Sequence, residues 1–152
     1  MNELKSILRA ATLATAVLLA PPLRADETVE VLKSASCGCC IAWGEHMREQ
    51  GFAVSEKNVS LVELNTAKNE AGLREEHKSC HTAYVDGYVV EGHVPAEDVR
   101  RLLTERPDAI GLAVPGMPFG SPGMGEPGPD AEPYDVLLVR RDGSTEVYSS
   151  HP

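Results

Sequence analysis

Thr28 to Lys33 (T-V-E-V-L-K) alternates polar and apolar side chains, the period of a strand with one covered face. From Cys39 to Gln50 the period lengthens: Cys40, Trp43 and Met47 recur at helical spacing, and Gly51 supplies a stop. Phe52 to Val59 reads as a second strand, and Leu61 to His77 as a helix interrupted at Gly72. Tyr84-Val85 and Tyr88-Val89-Val90, separated by Asp86-Gly87, carry a hairpin signal across Ala83 to Val90. Pro95 opens a helix through Arg106, since proline is tolerated in a first turn, and Pro107 ends it. Tyr134 to Arg141 and Thr145 to Ser149, joined through Asp142-Gly143, predict a closing hairpin.

One stretch has neither period. Residues 107 to 133 hold 13 glycines and prolines in 27 positions, which is too broken for a helix or a central strand and unusually long for a connection. The element order that remains is that of a small α/β or α+β single domain with a long Gly/Pro-rich loop. No internal repeat interrupts it.

The first 25 residues look like an export signal rather than part of that domain. Lys5 and Arg9 give a positive start, Ala10 to Ala20 an apolar stretch too short to span a bilayer, and Leu23-Arg24-Ala25 a cleavage site. The alternative is a membrane anchor or buried helix, which Pro21-Pro22 opposes by breaking any continuation. The mature domain then runs from residue 26 to 152, with no stable membrane insertion once the signal is gone. It is long enough to bury a core without disulfides. Removing the signal takes three of the 14 basic residues and one of the 23 acidic ones, so the exported form carries 11 basic against 22 acidic groups. Such a surface repels nucleic acid and anionic lipid, and no basic stripe for phosphate binding exists. Solubility alone also accounts for the acidity.

The chemistry concentrates in Cys37-Gly38-Cys39-Cys40, at the junction of the first strand and first helix. A covalent staple would use cysteines far apart in sequence, where closing a long loop constrains the unfolded chain most. Cys37 and Cys40 have the C-x-x-C spacing of thiol-disulfide oxidoreductases, in which a helix N-terminus stabilises the first thiolate. At this junction the motif also matches a thioredoxin-like layout. Cys39 sits between the two and invites disulfide scrambling. For tetrahedral zinc, the adjacent Cys39 and Cys40 point apart and converge badly. Soft copper(I) accepts two or three thiolates and lets each sulfur bridge two ions, so crowded cysteines suit several coppers.

Cys80, forty residues beyond Cys40, precedes the third strand, and in this layout it faces the cysteine turn; otherwise it is a buried small hydrophobe. Met117 and Met124 lie in the loop with little to pack against, so thioether ligation of copper stands beside simple loop anchoring. Met47 belongs to the core stripe, and Trp43 to the core or the wall of the site. His81 and His93 could approach the site but could equally be ordinary polar residues. His46 and His77 rank lower, and His151 at the terminus reads as uninvolved. No Ser-His-Asp set, phosphate-binding glycine loop or H-E-x-x-H motif is present in the sequence.

Together with C-G-C-C, the segments Cys80-His81-Thr82-Ala83, E-G-H-V-P at 91 to 95, and G-L-A-V-P-G-M-P-x-G-S-P-G-M from Gly111 make the mature chain resemble the CopG-type periplasmic copper-resistance family. The resemblance implies a thioredoxin-like fold, residence in the periplasm of a Gram-negative bacterium, and a multi-copper cluster bridged by Cys37, Cys39, Cys40 and Cys80. It also implies copper ions as the bound species and other periplasmic copper-handling or redox proteins as partners. Gly125 departs from the acidic residue typical of that position and touches no expected ligand. Whether such a protein is a copper oxidoreductase or a metal-binding protein stays open. Two other classes remain beside it: a thiol-disulfide oxidoreductase using Cys37 and Cys40, and a module with two plain disulfides.

Overall fold

The computed structural model describes residues 28–126 and 128–152. The export segment, 1–25, lies outside them. Among the described residues, seven strands and three α-helices follow in the order β1 (Thr28–Lys33), α1 (Gly38–Glu49), β2 (Ala53–Asn58), α2 (Leu61–Glu70), β3 (Thr82–Val85), β4 (Tyr88–Glu91), α3 (Ala96–Glu105), β5 (Gly111–Ala113), β6 (Tyr134–Val139) and β7 (Thr145–His151). They form one mixed sheet in the order β2-β1-β3-β4-β5-β6-β7. The first four strands have β1 parallel to β2, β3 antiparallel to β1, and β4 antiparallel to β3. This is the thioredoxin-like arrangement, extended across β4 by β5, β6 and β7.

Alternation along the strands sorts the two faces. Val29, Val31, Ala83, Val85 and Val90 join Trp43 and Met47 of α1 and Val99 and Leu102 of α3 in one buried cluster. Helices α1 and α3 therefore cover the same face. The neighbouring positions Thr82 and Glu91 point the other way, where Lys68 of α2 meets both.

Local sequence sets most element ends. Ser60 accepts from Glu63 N at 3.2 Å while the Glu63 carboxylate accepts from Ser60 N at 2.8 Å, a reciprocal cap that starts α2. Gly72, at φ 82°, ends that helix earlier than the sequence pattern suggests, and Glu75–His77 forms a separate 3-10 turn. Asp86 and Gly87 both take positive φ, 46° and 83°, as a two-residue hairpin turn requires.

The largest correction falls in the Gly/Pro-rich stretch. Gly111–Ala113 is a central strand, parallel to β4 and antiparallel to β6. Its three residues are fully buried, and a Cβ on Gly111 would lie 1.8 Å from the Val89 carbonyl oxygen. Three residues are too few for a hydrophobic period to register, and the glycine that looks like a breaker is what lets the strand approach β4.

Candidate metal centre

Topology brings four chain segments to one end of the sheet. β1 ends there and leads into the cysteine turn. β3, running the opposite way, begins there immediately after Cys80-His81, and β4 returns to the same end to release Gly92-His93. β5 runs parallel to β4, so the loop beginning at Val114 leaves from this end as well.

Cys37 is the N-cap of α1, with φ −79° and ψ 92°; no side chain caps that end and no acidic residue occupies the first turn. Unpaired N–H groups and the positive end of the helix dipole therefore face the sulfurs. Cys40 is fully buried beside Trp43 and Met47, while Cys37, Cys39 and Cys80 are half-buried. Cys39 Sγ lies 3.5 Å from Cys37 Sγ and 3.8 Å from Cys80 Sγ, and Cys40 Sγ lies 3.5 Å from Cys80 Sγ. All four sulfurs fall within 4.8 Å of one another. The expectation that Cys80 faces the turn holds. Cys39 and Cys40 do not diverge to separate partners: both meet Cys80.

Two sulfurs are joined: Cys37 and Cys40 form a disulfide, and Cys39 and Cys80 are free. This pairing excludes the two-disulfide arrangement for the state described here. It also marks Cys37 and Cys40 as a redox-capable pair.

Histidines complete the surroundings of Cys80. His93 Nε2 lies 3.1 Å from Cys80 Sγ, and its Nδ1 donates to the Pro122 carbonyl at 2.8 Å. Because a carbonyl only accepts, the proton belongs on Nδ1 and the Nε2 lone pair faces the sulfur. His81 Nδ1 lies 3.5 Å from the same sulfur, and its ring packs against Trp43 at a tilt of 41° with centroids 4.5 Å apart. His81 Nε2 is a buried side-chain atom with no hydrogen-bond partner among the described residues. Burial holds the His81 imidazole well below its ordinary range, and the nearby His93 ring and Lys68 charge act in the same direction. Burial lowers His93 too, against the Pro122 hydrogen bond. Both rings are therefore neutral near pH 7 and able to donate lone pairs. Cys80, His81 and His93 make a second group of ligand atoms sharing the Cys80 sulfur with the first.

Burial, with the Cys39 sulfur beside it, pushes the Cys80 thiol up to about 12. A sulfur in that position keeps its proton until a cation replaces it. The donor set, four soft sulfurs edged by two neutral imidazoles, fits copper(I) better than any hard cation.

The loop after β5 folds over this end. Gly123, at φ 84°, packs so tightly on α1 that a Cβ there would lie 2.7 Å from Cys39 O and Trp43 N. Trp43 Nε1 donates to Val94 O at 2.9 Å, tying the segment after His93 to the same helix. Met124 follows Gly123 and is half-buried, whereas Met117 is 52% exposed.

The other histidines serve the scaffold. His77 Nδ1 accepts from Arg74 N at 3.1 Å and steadies the 3-10 turn, and His46 Nε2 accepts from Ala96 N at the start of α3, 3.4 Å away. His151 is not idle as expected: its Nε2 lies 2.8 Å from Asp98 Oδ2 and its ring stacks on Tyr134 at 5.0 Å, pinning β7 to α3. Ser149 Oγ approaches that same nitrogen at 3.2 Å, so serine, histidine and aspartate share one ring atom and form no relay. Sequence reasoning passed over Lys68 and Glu91, which meet between α2 and the sheet; Glu91 opens the E-G-H-V-P segment but carries no ligand pattern.

A model of the family described as "Protein of unknown function, DUF411" matches residues 77–124, the span that contains Cys80, His81, His93 and most of the covering loop. No curated protein matches the chain. Two solved structures of copper resistance protein CopG are similar to it: Form 1 at 40% identity with a TM-score of 0.76, and Form 2 at 41% with a TM-score of 0.75. Each comparison covers 83% of this chain and 98% of the CopG chain. The copper-compatible cysteine cluster thus sits in a chain that matches nearly the whole of CopG, and the chain belongs to the CopG copper-resistance family.

Proposed function

We propose that this protein takes up several copper(I) ions as cargo in a cluster bridged by the thiolates of Cys37, Cys39, Cys40 and Cys80, with His93 and His81 supplying nitrogen at its edge. The observation that carries this reading is the shared position of Cys80. Its sulfur lies within 3.8 Å of both the Cys39 and Cys40 sulfurs and 3.1 Å from His93 Nε2. A sulfur so placed can bridge ions held by the cysteine turn to ions held by imidazole. Met117 and Met124 add thioether donors from the covering loop. Met124, next to the Gly123 contact with Cys39, is the better placed of the two.

The domain, residues 26–152, works in the periplasm of a Gram-negative bacterium after loss of the export segment, alongside other copper-handling or redox proteins. Family membership and the charged start and apolar run of residues 1–25 support this placement. Among the described residues no helix is long and apolar enough to cross a membrane.

The Cys37–Cys40 bond favours a redox component. Reduced to two thiols, this pair carries two electrons. Passing them to two copper(II) ions yields two copper(I) ions, re-forms the disulfide and releases two protons. Loading all four thiolates instead requires an external thiol to reduce the bond first. The same bond supports a second reading, a thioredoxin-like thiol-disulfide oxidoreductase using Cys37 and Cys40, in which metal binding is incidental.

Anaerobic copper(I) titration of the reduced protein, with metal counting and X-ray absorption, tests the first reading. More than one copper per chain in a sulfur and nitrogen shell, with short copper–copper contacts, is expected. Uptake of no copper, or of a single ion retained without Cys80, overturns it in favour of the second.

A further inference from the structure

Beneath Cys80 lies a buried polar circuit that the sheet does not need for its own pairing. Glu91 is fully buried at the end of β4, opposite Thr82 in the β3–β4 register. Its Oε1 accepts from Ser79 N at 2.7 Å and from Lys68 Nζ at 2.5 Å. Its Oε2 accepts from the Thr82 hydroxyl at 2.6 Å, and that hydroxyl in turn accepts from Lys68 Nζ at 2.8 Å. The carboxylate thus accepts three hydrogen bonds. The contacts reach the residues either side of Cys80-His81: the backbone N–H of Ser79 and the side-chain hydroxyl of Thr82.

Other contacts enclose the same short segment. Gly92 N donates to His81 O at 3.1 Å, and the Ser79 hydroxyl donates to Gly116 O. Gly92 has φ 74°, and a Cβ there would lie 2.6 Å from both the Ser79 side chain and Val114 O, so the chain after Glu91 presses directly on the residue before Cys80.

Replacing a buried ion pair by apolar residues of similar size is often neutral or stabilising. The Lys68–Glu91 pair is therefore a poor device for stability alone. A carboxylate holding a backbone N–H on one side of Cys80 and a side chain on the other is a good device for aiming it.

We propose that Glu91, neutralised by Lys68, is a positioning residue that holds the Cys80 sulfur at the cysteine turn. This rests on the reading that Cys80 completes the metal site, but the geometry it predicts can be measured without copper. In a Cys37→Ser/Cys40→Ser background only Cys39 and Cys80 remain, their sulfurs 3.8 Å apart. Equilibration with glutathione breaks the sulfur–sulfur bond of one glutathione disulfide, forms the Cys39–Cys80 bond and leaves both thiol hydrogens on two glutathione molecules. The equilibrium constant, in molar units, is the effective concentration of one sulfur at the other.

Lys68→Met/Glu91→Leu in that background removes the circuit while keeping the volume. Its effective concentration is expected to fall about tenfold or more, the scale of hydrogen bonds to a buried charge, with unfolding stability unchanged or raised. Glu91→Gln, which keeps an acceptor for Ser79 N, should lie between the two. Val136→Ala, in the core of β6 two strands away from β4, lowers stability but should leave the constant within about twofold, a small effect expected of a distant site. The proposal is overturned if the double variant stays within twofold of its parent, or if Val136→Ala lowers the constant as much. If the double variant does not fold, Glu91→Gln decides: a fall of about threefold or more supports positioning, and no change refutes it. Failure of the copper reading would appear instead in the wild-type metal count, with these constants unaffected.

Discussion

Gly123→Ala tests how the covering loop is coupled to the sulfurs. The new methyl would meet Cys39 O and Trp43 N at 2.7 Å, and both belong to the backbone of α1, which cannot step aside. If the loop stays in place, alanine at φ 84° costs about 1–2 kcal/mol for its left-handed backbone. The crowded contact adds about 1–3 kcal/mol. If the loop withdraws instead, the hydrogen bond from His93 Nδ1 to Pro122 O, 2.8 Å long, is lost with the packing around it. That route costs about 1 kcal/mol for the bond and somewhat more for the exposed surface. The less costly route sets the measured loss, so stability should fall by about 1–3 kcal/mol, or roughly 4–12 °C in unfolding midpoint for a domain of this size. Along either route the His93 ring or the α1 terminus is disturbed, and copper should dissociate faster.

Calorimetry of the copper-free reduced protein, and transfer of copper(I) to a coloured chelator, supply the two readouts. Gly125→Ala is the control. It carries the same kind of backbone penalty at φ 98°, but its methyl would meet the ring edge of Phe119, which is 45% exposed and free to swing aside. The coupling is refuted if Gly123→Ala releases copper no faster than Gly125→Ala.

Three further outcomes follow from the geometry. Cys39→Ser should lower the number of coppers bound per chain while leaving Cys37–Cys40 exchange with glutathione intact, since the bonded pair does not include it; full copper uptake by this variant would remove the case for a bridged cluster. In the copper-free protein with the Cys37–Cys40 bond intact, Cys80 should alkylate slowly up to about pH 11, because burial and the Cys39 sulfur push its thiol up to about 12; mass spectrometry showing rapid modification at pH 8 would refute that. The sign for stability follows: the unfolded thiol ionises first, so this group makes the fold less stable as pH rises from its ordinary range near 9 towards 12, and has no such effect below. Trp43, the one tryptophan in the chain, packs against the His81 ring and should lose fluorescence as copper(I) loads, whereas Cys80→Ala should blunt the quenching.

Several features of the site are legible in sequence because they depend on neighbours in the chain. C-G-C-C at the end of an alternating strand places sulfurs at a helix start, and the spacing of Cys40, Trp43 and Met47 identifies the face that is buried. Asp86-Gly87 states its own turn. Glu91 and Lys68 give no comparable signal, because each looks like an ordinary charged residue until β3, β4 and α2 are packed. Gly111 looks like a breaker in sequence, although its missing side chain is what admits a strand against Val89.

Sequence alone determined which groups are available: three sulfurs in one turn, a fourth ahead of a strand, and a loop too rich in glycine and proline to be a helix. Tertiary structure alone decided which of them meet. The antiparallel return of β3 brings Cys80 to Cys39 and Cys40, and β4 delivers His93 to the same sulfur. It also decided that His81 and His93 are neutral, because their loss of charge comes from burial by residues distant in the chain. Local periodicity records how a segment bonds to itself; distances between segments depend on strand direction and register, and desolvation depends on everything packed around a group.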